Sequence, residues 1–164
     1  MSAKPSALSW LPLSVIVVVL DQASKWLVRD SLQPGEVVPV LGGFLNWTLA
    51  YNTGAAFSFL AGHGGWQRWL FTLLAVGISV ALGVWLARTP RADWRTALPL
   101  ALVIGGAIGN LIDRVALGHV TDFVLVYFGD WAYPAFNVAD SAISIGAVLL
   151  ILFSLRPSVR DRSA

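Results

Sequence analysis

The sequence predicts an integral membrane protein that is mostly α-helical and carries a small β element. Of its 164 residues, 57% are hydrophobic and only 12% are charged, and the charged share is about half that of a soluble domain. Four stretches approach the roughly 20 apolar residues that a helix needs to cross hydrocarbon. The segment between the first two stretches is instead rich in β-forming residues. A chain of this length forms one domain, covering 1–164.

The four predicted helices cover about residues 10–28, 69–87, 96–112 and 138–155. The first contains Asp21 and Lys25, whereas the second is uncharged. The first stretch also resembles a secretory signal sequence, because Lys4 precedes its apolar run. No small-x-small cleavage site follows that run, so we interpret it as a retained helix.

The β element lies between helices 1 and 2, at about residues 34–66. Residues 36–41 (EVVPVL) and 44–49 (FLNWTL) are rich in β-formers, and Pro39 and Gly42-Gly43 interrupt them. This pattern predicts short strands joined by turns, forming a hairpin or cradle on the membrane surface. Aromatic side chains with a polar edge suit the depth of the lipid headgroups. They are Trp47, Trp66, Trp69, Trp131 and Tyr133.

Basic residues predict the orientation, because the side richer in Lys and Arg is cytoplasmic. If four helices alternate, the richer side carries Lys4, Arg88, Arg91, Arg95, Arg156, Arg160 and Arg162, and the poorer side Lys25, Arg29, Arg68 and Arg114. Both termini are then cytoplasmic, and the two long connections, 30–68 and 113–137, face outward. The excess of basic residues thus indicates membrane orientation and no nucleic-acid partner.

Two groups of polar residues fall inside predicted helices. Asp21 and Lys25 are four residues apart and can form a structural ion pair on one helix face. Asn110 and Asp113 are three apart, after glycines that allow another helix to approach closely. Two interpretations remain for the next pair of residues. Asp113 and Arg114 form an interfacial ion pair, or Arg114 binds a lipid phosphate or a substrate carbonyl. A structural and positioning role is favoured over chemistry.

The run 52–57 (NTGAAF) has two interpretations of equal weight. Asn52 and Gly54 supply the permissive backbone of a turn. Alternatively, the small residues form a groove for an extended peptide, with Asn52 bonding to it. The spacing does not distinguish the two.

Asp122 and Asp140 are the candidate catalytic residues. Taken separately, Asp122 resembles a solvated loop acid, and Asp140 completes a capping box begun by Asn137. The predicted topology brings them together, because the chain leaves the bilayer near Asp113 and returns near Asn137. Two close carboxylates share one proton, so one can activate water while the other donates to a carbonyl.

Other chemistries lack their residues. There are no cysteines, and His63 and His119 lie in predicted loops without a nucleophile motif. The H-E-x-x-H pattern of zinc peptidases and the G-x-G-D pattern of another intramembrane class are absent, and Asp130 is interpreted as a loop acid. We expect neither a metal nor a cofactor. A transporter or proton channel requires acids at midplane depth and usually an internal repeat, and a scaffold leaves both aspartates unexplained.

Together, these residues resemble those of a known family, the bacterial lipoprotein signal peptidases (signal peptidase II). Five motifs in the same order carry the resemblance, and they extend over nearly the whole chain. They are residues 21–25 (DQASK), 52–57 (NTGAAF), 109–114 (GNLIDR), 120–123 (VTDF) and 136–141 (FNVADS).

The resemblance implies four transmembrane helices, a periplasmic β-cradle and an aspartate dyad that maps onto Asp122 and Asp140. It implies cleavage of prolipoproteins on the N-terminal side of a diacylglyceryl-modified cysteine, in the inner membrane, and inhibition by globomycin. A monomer without cofactor is expected. The family positions that support the dyad or bind substrate map onto Asn52, Asn110, Arg114 and Asn137, and we assign Gly54 to the same group. Asp21, Lys25 and Asp113 are interpreted as structural polar residues.

Overall fold

The computed structural model describes residues 6–54 and 66–155. After a 3-10 turn at Ala7–Trp10, the elements are α1 (Leu11–Ser31), β1 (Val37–Leu41), β2 (Leu45–Asn52), α2 (Trp66–Arg88), α3 (Trp94–Ala116), β3 (Val120–Phe128), β4 (Trp131–Phe136) and α4 (Val138–Ser154). The predicted fold class, mostly helical with a small antiparallel sheet, is confirmed. Several predicted features lie outside the described residues: Lys4, residues 55–57, His63, Arg156, Arg160 and Arg162.

Among the described residues, three helices are long and apolar enough to cross a membrane, and α4 is a shorter apolar helix of 17 residues. α1 continues to Ser31, three residues past its expected end. α2 begins at Trp66, three residues before its expected start at 69. Large apolar side chains along α1 and α2 are exposed, as on surfaces that face lipid.

α3 is the central helix and packs against α1, α2 and α4. Its glycines make this packing close, as predicted. A β-carbon at Gly105 would lie 2.8 Å from the Ser14 carbonyl oxygen of α1, and one at Gly106 would collide with the Ala139 carbonyl of α4. A small apolar core lies around the N-terminal half of α3. It is formed by Ala7, Leu86, Ala97, Leu100 and Ile104.

The four strands form one antiparallel sheet in the order β1-β2-β3-β4. The predicted β1–β2 hairpin is confirmed, and its turn uses Gly42 and Gly43 at positive φ. The prediction of a β element only between helices 1 and 2 was incomplete. The connection between α3 and α4 contributes the second hairpin, and β2 pairs with β3 so that Ala50 lies opposite Asp122. Asp122 is therefore a strand residue.

Candidate active site

Lys25 is the centre of a buried ion cluster, which we call the Lys25 triad: Asp21, Lys25 and Asp113. The Lys25 Nζ lies 2.8 Å from Asp21 Oδ2 and 3.2 Å from Asp113 Oδ2. All three side chains are at most 1% exposed. The predicted Asp21–Lys25 ion pair is thus confirmed, and it contains a third member from α3.

The alternative of an Asp113–Arg114 ion pair is wrong. Neighbouring residues of a helix point in different directions, so Asp113 faces α1 and binds Lys25. The Arg114 guanidinium donates to the Asn110 carbonyl oxygen at 3.3 Å and lies 5.6 Å from the centre of the Phe71 ring. It also lies within electrostatic range of Asp140 and Asp122.

Asn110 connects the triad to Asp140. Its Oδ1 accepts a hydrogen bond from Lys25 Nζ at 2.9 Å, and its Nδ2 donates to Asp140 Oδ1 at 2.7 Å. The amide orientation follows from these partners, because an ammonium only donates and a carboxylate only accepts. Asn110 is therefore held with its donor toward Asp140.

Asn137 binds both acids, Asp122 and Asp140, which we call the acid pair. Its Nδ2 donates to Asp122 Oδ1 at 2.7 Å, and its backbone N–H donates to Asp140 Oδ2 at 3.2 Å. The Asn137 Oδ1 accepts from the backbone N–H of Asp140, which completes the predicted capping box at the start of α4. The cap and the contact to Asp122 use different atoms of one residue, so both roles coexist.

The environment of Asp122 favours its protonated form. The side chain is 3% exposed, and burial disfavours a charged carboxylate. Burial and then the charge of Asp140 raise the pKa of Asp122 to about 7, against the effects of hydrogen bonds from Asn52 and Asn137 and of the more distant Lys25. The interpretation of Asp122 as a solvated loop acid is therefore wrong. A carboxyl with this pKa can hold a proton near neutral pH.

The other predicted site residues lie around this pair. Asn52 ends β2, and its Oδ1 accepts the backbone N–H of Gly54, whose φ is +99°. The turn interpretation of this run is thus confirmed as far as Gly54. A β-carbon at Gly54 would lie 2.6 Å from the Phe71 ring of α2, so the glycine is required by packing as well as by backbone conformation.

Two residues of the network were not assigned a role from the sequence. The Gln22 side chain donates to Asp113 Oδ1 at 3.0 Å and to the Gly109 carbonyl at 3.1 Å. Thr121 donates its backbone N–H to Asp113 Oδ2 at 2.9 Å and accepts from Arg29 through its hydroxyl. A polar side chain within a predicted transmembrane helix indicates a polar contact inside the protein, so the position of Gln22 could have predicted its place in the network. The backbone contact of Thr121 has no signature in sequence.

The arrangement is suited to acid–base chemistry. Within residues 6–54 and 66–155, the two salt bridges both belong to Lys25, and the acid pair is held by amide groups. No group of three or more His, Cys, Asp or Glu in those ranges could hold a metal ion. The pair thus has one carboxyl that keeps a proton near neutrality, next to a second that receives two N–H donors.

Comparison with known proteins shows the family of the chain. A model of the family described as signal peptidase (SPase) II matches residues 13–156. The chain belongs to the signal peptidase II family. A lipoprotein signal peptidase from Xanthomonas campestris pv. campestris (strain 8004) is 59% identical over 160 residues, covering 98% of this chain and 96% of the relative. Its counterpart from Xanthomonas euvesicatoria pv. vesicatoria (strain 85-10) is 61% identical over 151 residues, covering 92% and 88%.

Solved structures share this fold. The chain resembles a bacterial membrane enzyme solved by the in meso method at 1.9 Å, with a TM-score of 0.82 and 30% identity, covering 96% of this chain and 99% of the other. A second such structure, at 2.3 Å, has a TM-score of 0.79 and 29% identity, covering 98% and 94%. Signal peptidase II membership and the helical fold with its small sheet were both predicted from the sequence.

Proposed function

We propose that this chain is an aspartic endopeptidase that removes signal peptides from prolipoproteins, with Asp122 and Asp140 as its catalytic dyad. Cleavage occurs on the N-terminal side of a cysteine that already carries diacylglycerol. The whole chain, 1–164, acts as one integral membrane peptidase domain. The observation that carries the proposal is that Asn137 binds both acids at once, from the point where α4 begins beside β3.

The proposed chemistry follows from the environments of the two acids. The ionised carboxylate draws a proton from a water molecule, and the protonated carboxyl donates to the oxygen of the scissile carbonyl. Asp122 has an environment that retains a proton near pH 7, and the shared proton belongs to the pair as a unit. Arg114 and Asn52 lie at the edge of the pair, where they bind the peptide backbone of the substrate.

In the proposed topology, four transmembrane helices have both termini in the cytoplasm, and the dyad lies near the periplasmic face of the inner membrane. α4 has 17 residues and is therefore about 25 Å long, slightly less than the roughly 30 Å of hydrocarbon. This length is compatible with a first turn, containing Asp140, that lies just below the periplasmic surface. Water then reaches the dyad from the periplasm.

The substrate meets this site within the plane of the membrane. A prolipoprotein is held in the bilayer by its signal helix and by two acyl chains, so it arrives by lateral diffusion. Holding its extended backbone against a preorganised acid pair makes hydrolysis effectively intramolecular, which lowers the barrier by up to about 7–11 kcal/mol in favourable cases. No cofactor takes part, and the enzyme acts as a monomer.

A reconstituted assay tests the proposal. Purified protein is incubated with a diacylglyceryl-modified precursor or its unlipidated counterpart, with and without globomycin. We expect cleavage only of the lipidated precursor, at the peptide bond before the modified cysteine, and inhibition by globomycin. Cleavage of both precursors alike, or at another bond, would contradict the proposed specificity.

Variants of the two acids test the dyad itself. Asp122→Asn and Asp140→Asn should each reduce cleavage by at least about 10³-fold, because a pair without its second titrating carboxyl loses acid–base catalysis. Asp130→Asn is the matched control, since Asp130 is an acid of the same sheet that lies in the β3–β4 turn. It should cleave at the wild-type rate. Substantial activity in a folded Asp122 or Asp140 variant would overturn the assignment.

A further inference from the structure

The two carboxylates of the Lys25 triad each hold the backbone of the residue just before a member of the acid pair. Asp113 Oδ2 accepts the N–H of Thr121 at 2.9 Å, and Thr121 precedes Asp122. Asp21 Oδ1 accepts the N–H of Ala139 at 2.9 Å, and Ala139 precedes Asp140. Both hydrogen bonds are buried. One acid from α3 thus fixes β3, and one acid from α1 fixes the start of α4.

Lys25 joins these two holders and adds a third link. An ammonium group has three N–H donors, and the partners of Lys25 are Asp21, Asp113 and the Asn110 Oδ1. The Nδ2 of Asn110 in turn donates to Asp140. Three connected paths therefore run from one buried cation to the acid pair. Two pass through the backbone and one passes through a side-chain amide.

We propose that the Lys25 triad is a spacer that sets the separation and orientation of Asp122 and Asp140, so that Asp21, Lys25 and Asp113 are positioning residues for the peptidase reaction. This inference rests on the proposed function. A spacer of this kind matters because a displacement of about 1 Å at reacting groups can lower a rate by about 100-fold. It assigns the triad a role in turnover in addition to its role in stability.

The contacts of Asp21 distinguish a spacer from a simple ion pair. An ion pair that only neutralises charge needs one oxygen of each acid, facing the cation. Asp21 uses Oδ2 for Lys25 and directs Oδ1 to Ala139. A β-carbon at Gly109 would lie 2.6 Å from Asp21 Oδ2, so the absence of a side chain there lets the Asp21 carboxylate reach between α3 and α4.

Alanine and asparagine substitutions at Asp21 and Asp113 test the proposal. Both replacements are neutral, so their difference reports the lost acceptor oxygen and not the lost charge. The triad carries one net negative charge, so removing either acid leaves a neutral pair, and we expect the variants to fold. Asp113→Ala and Asp21→Ala should lower kcat per folded molecule by about 10- to 100-fold with little change in KM. The asparagine variants should keep most of the turnover rate that the alanine variants lose.

Ser14→Ala is the matched control. Ser14 is also buried on α1, and its hydroxyl donates to the Ala101 carbonyl oxygen of α3 at 2.7 Å, apart from the Lys25 triad and the acid pair. A purely structural cluster predicts that all these variants lower the yield of folded protein and leave kcat per folded molecule unchanged. That result would overturn the spacer, as would an equal loss of kcat in Ser14→Ala.

A measurement on the wild-type protein keeps the test decisive if an alanine variant fails to fold. The amides of Thr121 and Ala139 should exchange with solvent as slowly as amides in the middle of α3, and fast exchange at either would contradict the proposal. Failure of the dyad itself is recognised separately. In that case Asp122→Asn and Asp140→Asn remain active, whereas a failed spacer leaves them inactive while the Asp21 and Asp113 variants turn over normally.

Discussion

Two buried polar clusters lie side by side where α3 meets the sheet, and they treat their acids in opposite ways. In the Lys25 triad, two carboxylates share one ammonium, and every N–H of that ammonium has an acceptor. In the acid pair, Asp122 and Asp140 are held by the amides of Asn137 and Asn110. The acids of the first cluster contact a cation, whereas those of the second contact neutral amide groups and lie in each other's field.

Under the proposed function, the difference shows how one small membrane protein separates support from chemistry. A carboxylate in contact with a cation is stabilised in its charged form, which suits a fixed acceptor for backbone N–H groups. A carboxyl that has neutral donors and a second acid beside it changes its protonation near neutral pH, which suits catalysis. Asn110 contacts both clusters, because its Oδ1 accepts from Lys25 and its Nδ2 donates to Asp140.

The largest expected effect comes from removing the cation. Lys25→Met leaves Asp21 and Asp113 as two uncompensated buried charges, and breaking a buried ion pair in this way typically costs about 3–5 kcal/mol. We expect little folded protein in detergent, measured as the fraction that elutes as a monodisperse species. The triple variant Lys25→Met, Asp21→Asn, Asp113→Asn should recover folded protein, and failure of this recovery would show that charge balance is not what the lysine supplies.

A smaller effect of opposite sign is expected for the acid pair. The pKa of Asp122 is raised from its ordinary value of 3.8 to about 7, so the folded protein holds this proton more tightly than the unfolded chain. Its contribution to stability is complete below pH 3.8 and is lost as the pH rises through about 7. Asp122→Asn should therefore be more stable than the wild type at pH 8, by about 1–3 kcal/mol in the free energy of unfolding. This difference in stability should become smaller toward pH 5.

Melting temperature measured against pH checks this expectation, and cleavage measured over the same range complements it. Wild-type activity should fall as the pH rises above about 7, because the shared proton is then lost. If the difference in melting temperature between Asp122→Asn and the wild type did not change with pH, Asp122 would be ionised over the whole range measured. The acid pair would then resemble the triad, and the contrast between the two clusters would disappear.

An effect on stability no larger than that at Asp122 is expected at Asn137, where the capping contact and the contact to Asp122 use different atoms. Asn137→Ser keeps a good N-cap but removes the buried Nδ2 donor to Asp122, Asn110 and Thr121, so the free energy of unfolding should fall by about 1–3 kcal/mol. Under the proposed function, kcat should also fall by about 10- to 100-fold. Asn137→Ala is the companion variant that loses both functions. Equal stability losses in the two variants would show that the cap does not act separately.

Much of the fold was predictable because lipid imposes simple rules on helices. Apolar length located the helices, and the β-formers around Gly42-Gly43 predicted the first hairpin. The second hairpin was missed although residues 120–128 are rich in β-branched and aromatic side chains. Both faces of β3 are buried over its first four residues, so the strand lacks the alternation that marks a half-exposed strand.

The site was predictable where it depends on local spacing, and not where it depends on packing between helices. The Asp21–Lys25 pair follows from one helical turn, and the Asn137–Asp140 box follows from a capping pattern. The bond between Asp113 and Lys25 joins α3 to α1, and sequence order holds no signal for it. The hydrogen bonds to Thr121 and Ala139 use backbone N–H groups, which every residue except proline carries.

The pairing of β2 with β3 has a consequence for how the protein is made. These strands come from opposite halves of the chain, and their register sets Ala50 against Asp122. During synthesis, α1 through α2 enter the membrane with one hairpin, before α3, the second hairpin and α4 exist. Because Asp140 lies just after the last strand, the acid pair is assembled only when the final helix arrives. If the acid pair is the proposed dyad, a nascent chain therefore carries no working protease until its own insertion is complete.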